Sequence, residues 1–298
     1  VVSTRFKHLI ESDRLRTITV VDLFSAGFEL IVAIGITVRG RSVNRVAEEL
    51  IQIPEVLSVL EMSGQYQLEI LVAATSHASL AAIVQDKLRN ISGLEELVPS
   101  ICLDVFKYET GWGPFNIKRE EGLSIPDTSP ISPLDRKIIS ALWDDPRATH
   151  QGIASPLGLT EAAIRSRIAS LRDDNVVRVT AIGNVSKNDN RIFAFVGIKL
   201  TGSHHEKVIR QLVPLSEVRF AAIVLGRYDL MIQVLVSDAA ALAQLINERI
   251  SAIPEVDSVE CRPSLQFWKY DYRWTILTGT VGSVKSWPPL RQTDKWSG

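Results

Sequence analysis

The sequence predicts an α+β protein: one helix-turn-helix unit of the winged type and two ferredoxin-like β-α-β-β-α-β domains. Three observations predict it. Residues 9–112 recur as residues 171–274 with no drift in spacing. Each copy runs through the same order of strand-like and helix-like patterns. Ahead of the second copy, residues 133–180 form three short helical patterns. The repeat is exact in register: Gly64-Gln65-Tyr66-Gln67-Leu68 aligns with Gly226-Arg227-Tyr228-Asp229-Leu230, Lys107-Tyr108 with Lys269-Tyr270, Trp112 with Trp274 and Arg5 with Arg167, each pair 162 residues apart. Such a chain is two copies of one module, and its function is read off that module.

The elements follow from local patterns. In the second copy, Phe193–Leu200 is β-branched and aromatic and is bounded by turn residues, as a strand is. Ser203–Val213 carries Val208, Ile209 and Leu212 at helical spacing, with Ser203 as its expected N-cap and Pro214 as its stop. Glu217–Leu225 and Tyr228–Val236 read as strands joined by a tight turn at Gly226-Arg227. Asp238 opens a helix that ends at Pro254, and Val256–Tyr270 is a long last strand. The first copy repeats this as Ile31–Val38, Ser42–Ile53, Val56–Ser63, Tyr66–Ala74, Ser76–Ile91 and Leu94–Tyr108. The resulting division is 1–22 (remnant of a first helix-turn-helix and a connector), 23–112 (first ferredoxin-like domain), 113–132 (an exposed linker rich in Pro, Gly, Ser and charge), 133–182 (helix-turn-helix), 183–275 (second ferredoxin-like domain) and 276–298 (an aperiodic tail).

Bulk composition narrows the function. At 46% apolar and 22% charged residues the chain is an ordinary globular sequence, and a net charge of −1 gives no whole-chain footprint for nucleic acid, so any such surface is local. Cys102 and Cys261 are not equivalent repeat positions and suggest neither a disulfide framework nor a metal site. Apolar runs such as Leu30–Ile36 are far short of a membrane span, which excludes a membrane partner by this route. No Ser/His/Asp set, Cys/His metal spacing or Gly-rich phosphate loop is present, so no catalytic residue, metal or cofactor is expected. His204-His205 reads as a solvated first turn of a helix.

The three-helix segment carries the functional signal. Pro133-Leu134-Asp135 opens the first helix, with Leu134, Ile138, Ile139 and Leu142 on one face. His150–Leu157 is the second, Gly158-Leu159 the break, and Thr160 caps the third, Glu161–Asp173, whose inward stripe is Ile164, Ile168 and Leu171. Thr149–Ile168 is the helix-turn-helix, an arrangement that fits the major groove of double-stranded DNA. Gln151 and Thr160 are expected to position it on phosphates, Glu161, Ala162, Arg165 and Ser166 to face base edges, and Arg167, with Arg172, to contact the DNA backbone or partners within the protein. A plain helical packing unit is the alternative that this pattern leaves open.

A three-helix unit, an extended connector and a β-α-β-β-α-β domain with a Gly-x-Tyr-Asp-Leu hairpin together resemble the Lrp/AsnC transcription factors. The residues that carry the resemblance are Leu134–Ile139, Thr160–Leu171 and Gly226–Leu230. It implies a DNA-binding domain and RAM-like domains that oligomerise and sense small effectors, commonly amino acids, in the cytoplasm. The hairpin Gly226, Arg227, Tyr228 and Asp229 would line the effector site, with the Asp229 carboxylate available to an amino group; the first copy has Gln67 there and lacks that charge. Val1–Lys7 aligns with Ala163–Ala169, so the chain starts within a recognition helix, and a remnant helix over Ser3–Ser12 is expected.

Tandem copies could pair within one chain, sheet against sheet, burying Phe193, Phe195 and Gly197. One complete reader per chain would further require two chains to clamp a palindrome, so a homo-oligomer is expected. Two alternatives remain. One is a DNA-silent scaffold that oligomerises with related regulators. The other is an enzyme: the doubled architecture also resembles siroheme decarboxylases, which act on tetrapyrroles. The stretches that would carry their His- and Arg-rich motif, Leu15–Val21 and Val177–Gly183, hold one Arg each and no His.

Overall fold

Two apolar faces per strand and one apolar stripe per helix dictate layers, with sheets inside and helices outside. The computed structural model describes residues 8–109, 112–113, 123–184 and 191–277. The first copy contributes β2 (Leu30–Val38), α1 (Val43–Leu50), β3 (Val56–Met62), β4 (Leu68–Ala74), α2 (His77–Ala82) and β5 (Leu94–Tyr108). The second contributes β8 (Ile192–Leu200), α6 (His205–Leu212), β9 (Val218–Leu225), β10 (Leu230–Val236), α7 (Ala239–Gln244) and β11 (Val256–Tyr270). Both α2 and α7 continue into a π-helical turn, Ile83–Lys87 and Leu245–Ile250, again 162 residues apart. Their N-caps are equivalent too: Ser76 Oγ accepts from the Ser79 N–H at 3.0 Å, and Asp238 Oδ1 from the Ala241 N–H at 2.9 Å.

The copies pair within the chain. Their sheets lie face to face and also join edge to edge, closing an eight-stranded barrel in the order β10-β8-β11-β3-β4-β2-β5-β9. Two antiparallel seams make the closure. On one, Ser264 faces Met62 and Lys269 faces Val59; on the other, Cys102 faces Val224 and Lys107 faces Ala221. The registers, bulges included, are the same after the 162-residue shift, so a pseudo-twofold axis relates the copies. The inward faces form one central core that includes Ile31, Leu60, Phe193, Phe195 and Phe220. Each outward face is covered by its own copy's helices, through Val46, Leu50 and Ile83 on one side and Val208, Leu212 and Leu245 on the other. The face expected to be an interface is therefore buried, with Phe193 and Phe195 at most 3% exposed.

The connectors form a second sheet. β1 (Leu15–Asp22) runs antiparallel to β7 (Val177–Asn184), flanked by β12 (Trp274–Thr275) and β6 (Trp112–Gly113). Below it stand α3 (Pro133–Asp144), α4 (His150–Leu157) and α5 (Glu161–Asp173).

Three expectations need correction. Ser203 does not cap α6; the helix begins at His205, with His204 in the cap position and no side-chain cap. The described part of the linker, 123–132, is not simply exposed: Leu123 and Ile131 are buried in the central core, because two apolar side chains in a polar segment gain more from burial than the segment does from solvent. The tail starts buried as well, since Ile276 and Leu277 join the cores and the Leu277 N–H donates to Asp22 at 2.7 Å. Of the expected remnant helix, residues 8–11 are helical and residues 3–7 lie outside the described residues, as do 278–298.

Candidate nucleic-acid interface and effector hairpins

Each helix of the reader starts at a hydroxyl cap. Ser132 Oγ accepts from the Asp135 N–H at 3.1 Å, Thr149 Oγ1 from the Gly152 N–H at 3.0 Å, and Thr160 Oγ1 from the Ala163 N–H at 3.2 Å. Gly158, at φ +66°, closes α4 in the left-handed region that glycine enters without strain. Ile138, Leu142, Ile153, Ala154, Ile164 and Ile168 form a small core that locks the rear of α5. Its front is open: Glu161, Ala162, Arg165 and Ser166 are all exposed and lie together. Arg165 pairs with Glu161 one turn back; an exposed pair of this spacing contributes only a few tenths of a kcal/mol, so it yields readily to a ligand.

The other predicted residues have local duties. Thr160 is exposed, with its hydroxyl engaged at the cap. Gln151, also exposed, donates to Ser155 Oγ at 3.2 Å along α4. Arg167 points to α3, with Nε 3.5 Å from Asp135 Oδ1, and so ties the third helix to the first.

The reader is fixed to the body. The Thr19 hydroxyl donates to the Leu142 carbonyl at 2.8 Å in a buried contact, and Arg147 donates to Thr17 at 3.1 Å. Trp143 meets Trp274 edge to face at 5.5 Å, and the Arg273 guanidinium lies over Trp143 at 4.8 Å. Ile139 and Leu171 join the central core. The helices of the second copy therefore dock on β1, the connector of the first.

The two hairpins meet at the pseudo-axis. Arg227 bonds Gln65, donates to the Tyr66 hydroxyl at 3.0 Å and pairs with Glu260 at 2.9 Å. Tyr66 and Tyr228 lie flat on Gly35 and Gly197: a Cβ on either glycine would stand 2.6 or 2.5 Å from the ring. Gly226 abuts the first copy, where a Cβ would come within 2.6 Å of the Pro99 carbonyl oxygen. Burial pushes the Tyr228 hydroxyl well above its ordinary pKa. Asp229 has a structural duty the sequence did not reveal: Oδ2 accepts from the Leu200 N–H at 2.9 Å and Oδ1 lies 3.3 Å from Lys199. Gln67 Oε1 makes the equivalent bond to the Val38 N–H at 2.9 Å. The two residues are one backbone anchor in two chemistries.

Sequence reading missed a charge cluster beside these hairpins. Glu69 and Arg262 form an ion pair with side chains 3% and 4% exposed. Arg262 lies over the Tyr66 ring at 5.1 Å and 3.6 Å from Glu260. Burial pushes the Glu69 carboxyl up, against the opposing pull of Arg262. Its partners are 193 residues apart, so no local pattern could have revealed it.

Residues 31–112 and 193–274 each match the Lrp/AsnC ligand binding domain, together more than half of the chain. The chain belongs to the Lrp/AsnC family. Residues 131–178 match a winged helix-turn-helix DNA-binding domain, so this Lrp/AsnC protein is a transcriptional regulator with one such domain described and two effector-binding domains. It is 29% identical over 143 residues to an uncharacterised HTH-type transcriptional regulator of Pyrococcus abyssi, covering 47% of this chain and 90% of that one. It is 29% identical over 138 residues to regulatory protein AsnC of Haemophilus influenzae, covering 46% and 92%. The doubled fold is similar to siroheme decarboxylase NirDL, with a TM-score of 0.64 over 89% of this chain and 80% of that one; at 15% identity this is a likeness of fold. Among the described residues no helix is long and apolar enough to cross a membrane.

Proposed function

We propose that this Lrp/AsnC protein reads specific sequences in double-stranded DNA through α5, in the cytoplasm, as a regulator and not as an enzyme. Glu161, Ala162, Arg165 and Ser166 face the base edges, and Gln151 and Thr160 sit against phosphates. Arg167 serves inside the protein, through Asp135. One observation carries this reading: a helix whose rear is locked by Ile164 and Ile168 presents its short and basic residues together in solvent. Because α3 is hydrogen-bonded to β1 and Ile139 and Leu171 pack in the central core, the pitch of the reader is set by the body. Two chains associate to present two readers to a palindromic site.

The hairpin Gly226, Arg227, Tyr228 and Asp229 is the effector-responsive element, and a small zwitterion such as an amino acid is the ligand class that suits it. An effector amino group at Asp229 would displace Lys199, whose ammonium is 3.3 Å away. Effector occupancy would then act on the point where the two copies touch.

The test is capture of fragmented genomic DNA on the purified protein at physiological salt, beside an Arg165→Ala control. Enrichment of a few discrete sites that the control loses supports the reading. Equal weak enrichment by both proteins overturns it in favour of a DNA-silent scaffold.

A further inference from the structure

Contacts between the two copies fall into two classes. The first is repeated on both seams. Lys107 of the first copy donates to the Val213 and Leu215 carbonyls of the second, and Lys269 of the second donates to the Ile51 and Ile53 carbonyls of the first. Gly64 packs against Arg262 as Gly226 packs against Ser100. Contacts of this class would form equally well between two first copies or two second copies. They favour pairing and do not choose the partner.

The second class exists on one seam only. Beside β3 and β11, Glu69 meets Arg262, and the Trp268 indole donates to Glu61 at 3.4 Å. The equivalent positions on the other seam are Met231 with Ser100 and Ile223 with Phe106, which carry no charge. At the pseudo-axis Arg227 meets Gln65 rather than another Arg.

Pairing like with like would break this class. Two first copies would place Glu69 opposite Ser100 on both seams, burying two carboxylates without cations. Two second copies would place Arg262 opposite Met231 on both seams and Arg227 opposite Arg227. Glu260 would stay beside Arg262 there, since both are on β11, but the full neutralisation by Glu69 would be gone. A buried charge that loses its partner is strongly unfavourable, whereas the same seam with both partners present is satisfied.

We propose that Glu69, Arg262 and the Gln65–Arg227 contact are a pairing key: they admit the first copy only to the second copy and reject pairing of like copies between chains. The partner this face fits is a domain with a buried cation opposite Glu69, or a buried carboxylate opposite Arg262. Within one molecule only the other copy meets that description among the described residues. The key gives the doubled body a single sense, with the reader of the second copy on the connector of the first. It also excludes a neutral domain of related fold.

The test uses the full chain with Gln65→Cys as a reporter, because position 65 meets another position 65 only when two first copies pair. The chain is unfolded, refolded at high concentration so that pairing between chains competes with pairing inside one, oxidised, and analysed without reductant. Cys102→Ser and Cys261→Ser are present throughout, so the introduced thiol is the only one, and the same chain without Gln65→Cys is the control. Gln65→Cys removes the Gln65–Arg227 contact in every variant, so the assay reads the Glu69–Arg262 pair: with that pair intact, double-mass linkage is expected at the control level. Glu69→Met with Arg262→Ser gives both seams the same Met and Ser at these two positions and should raise the linkage roughly tenfold or more, the scale of one lost buried pair. Glu69→Arg with Arg262→Glu restores complementarity between the copies and should return it to the control level. If the neutral variant refolds poorly, Glu69→Gln with Arg262→Gln takes its place. No rise in the neutral variant, or an equal rise in the reversed one, overturns the proposal.

Discussion

Gln65 and Arg227 occupy the same position in the two copies, and they touch. Residues related by a twofold axis can meet only where that axis passes, so this contact marks the pseudo-axis of the barrel. A homodimer would put two identical side chains there. Duplication within one chain releases that restriction, and the two positions have become complementary. Arg227 is partly exposed while Arg262 nearby is buried, and this difference sets their energetics. Arg227→Gln should change unfolding free energy by less than about 1 kcal/mol, as for a surface pair. Arg262→Met should cost about 3–5 kcal/mol by leaving Glu69 without its cation. Urea unfolding monitored by circular dichroism separates the two cases.

The repeated lysine of the Lys-Tyr pair is explained by reciprocal capping. Lys107 and Lys269 each satisfy two carbonyls just beyond the end of a helix of the other copy, where the helix dipole also favours a cation. Lys269→Met should lower stability by about 1–3 kcal/mol, since two acceptors lose a charged donor. Lys107→Met should show a loss of the same order. Because the sites lie on different seams, the losses should add in the double variant.

Gly197 is fixed by the aromatic ring above it. A Cβ there would meet Tyr228 ring carbons at 2.5 Å, and the ring is boxed in by the core. Gly197→Ala should therefore cost about 1–3 kcal/mol through overpacking. Combining it with Tyr228→Ala should cost less than the sum of the single changes, which a double-mutant cycle in urea would report.

Arg165→Ala should weaken binding to a preferred DNA site by about 1–3 kcal/mol, the scale of one good base contact, and spare binding to unrelated sequence. Fluorescence anisotropy with both duplexes measures the difference. An equal loss on both would assign Arg165 to a phosphate.

Both thiols should be slow to react. Burial pushes Cys102 up to about 12 and Cys261 up to about 11, so at pH 8 almost none of either is thiolate. Alkylation by iodoacetamide should speed up with rising pH in the folded chain, with Cys261 ahead of Cys102. Rapid labelling of both at pH 8 would show that the strands carrying them, β5 and β11, open in solution.

The sequence by itself determined what is written locally. The fixed 162-residue spacing of the copies is read directly by comparing one stretch with the other, and the order of strands and helices, the caps at Thr160 and Asp238 and the apolar stripe Ile164, Ile168 and Leu171 follow from neighbours within a few residues, where turn chemistry and periodicity act. The exposed front of α5 follows from the same stripe. Only the tertiary structure decided the rest. It showed that Leu123 and Ile131 leave the linker for the core, that Asp229 and Gln67 anchor the same backbone group, and that both long helices pass through a π turn. It also showed Glu69 buried against Arg262. A carboxylate on a strand reads as solvent-facing until its cation is known, and that cation arrives from 193 residues away, through a closure of the barrel that no local pattern encodes.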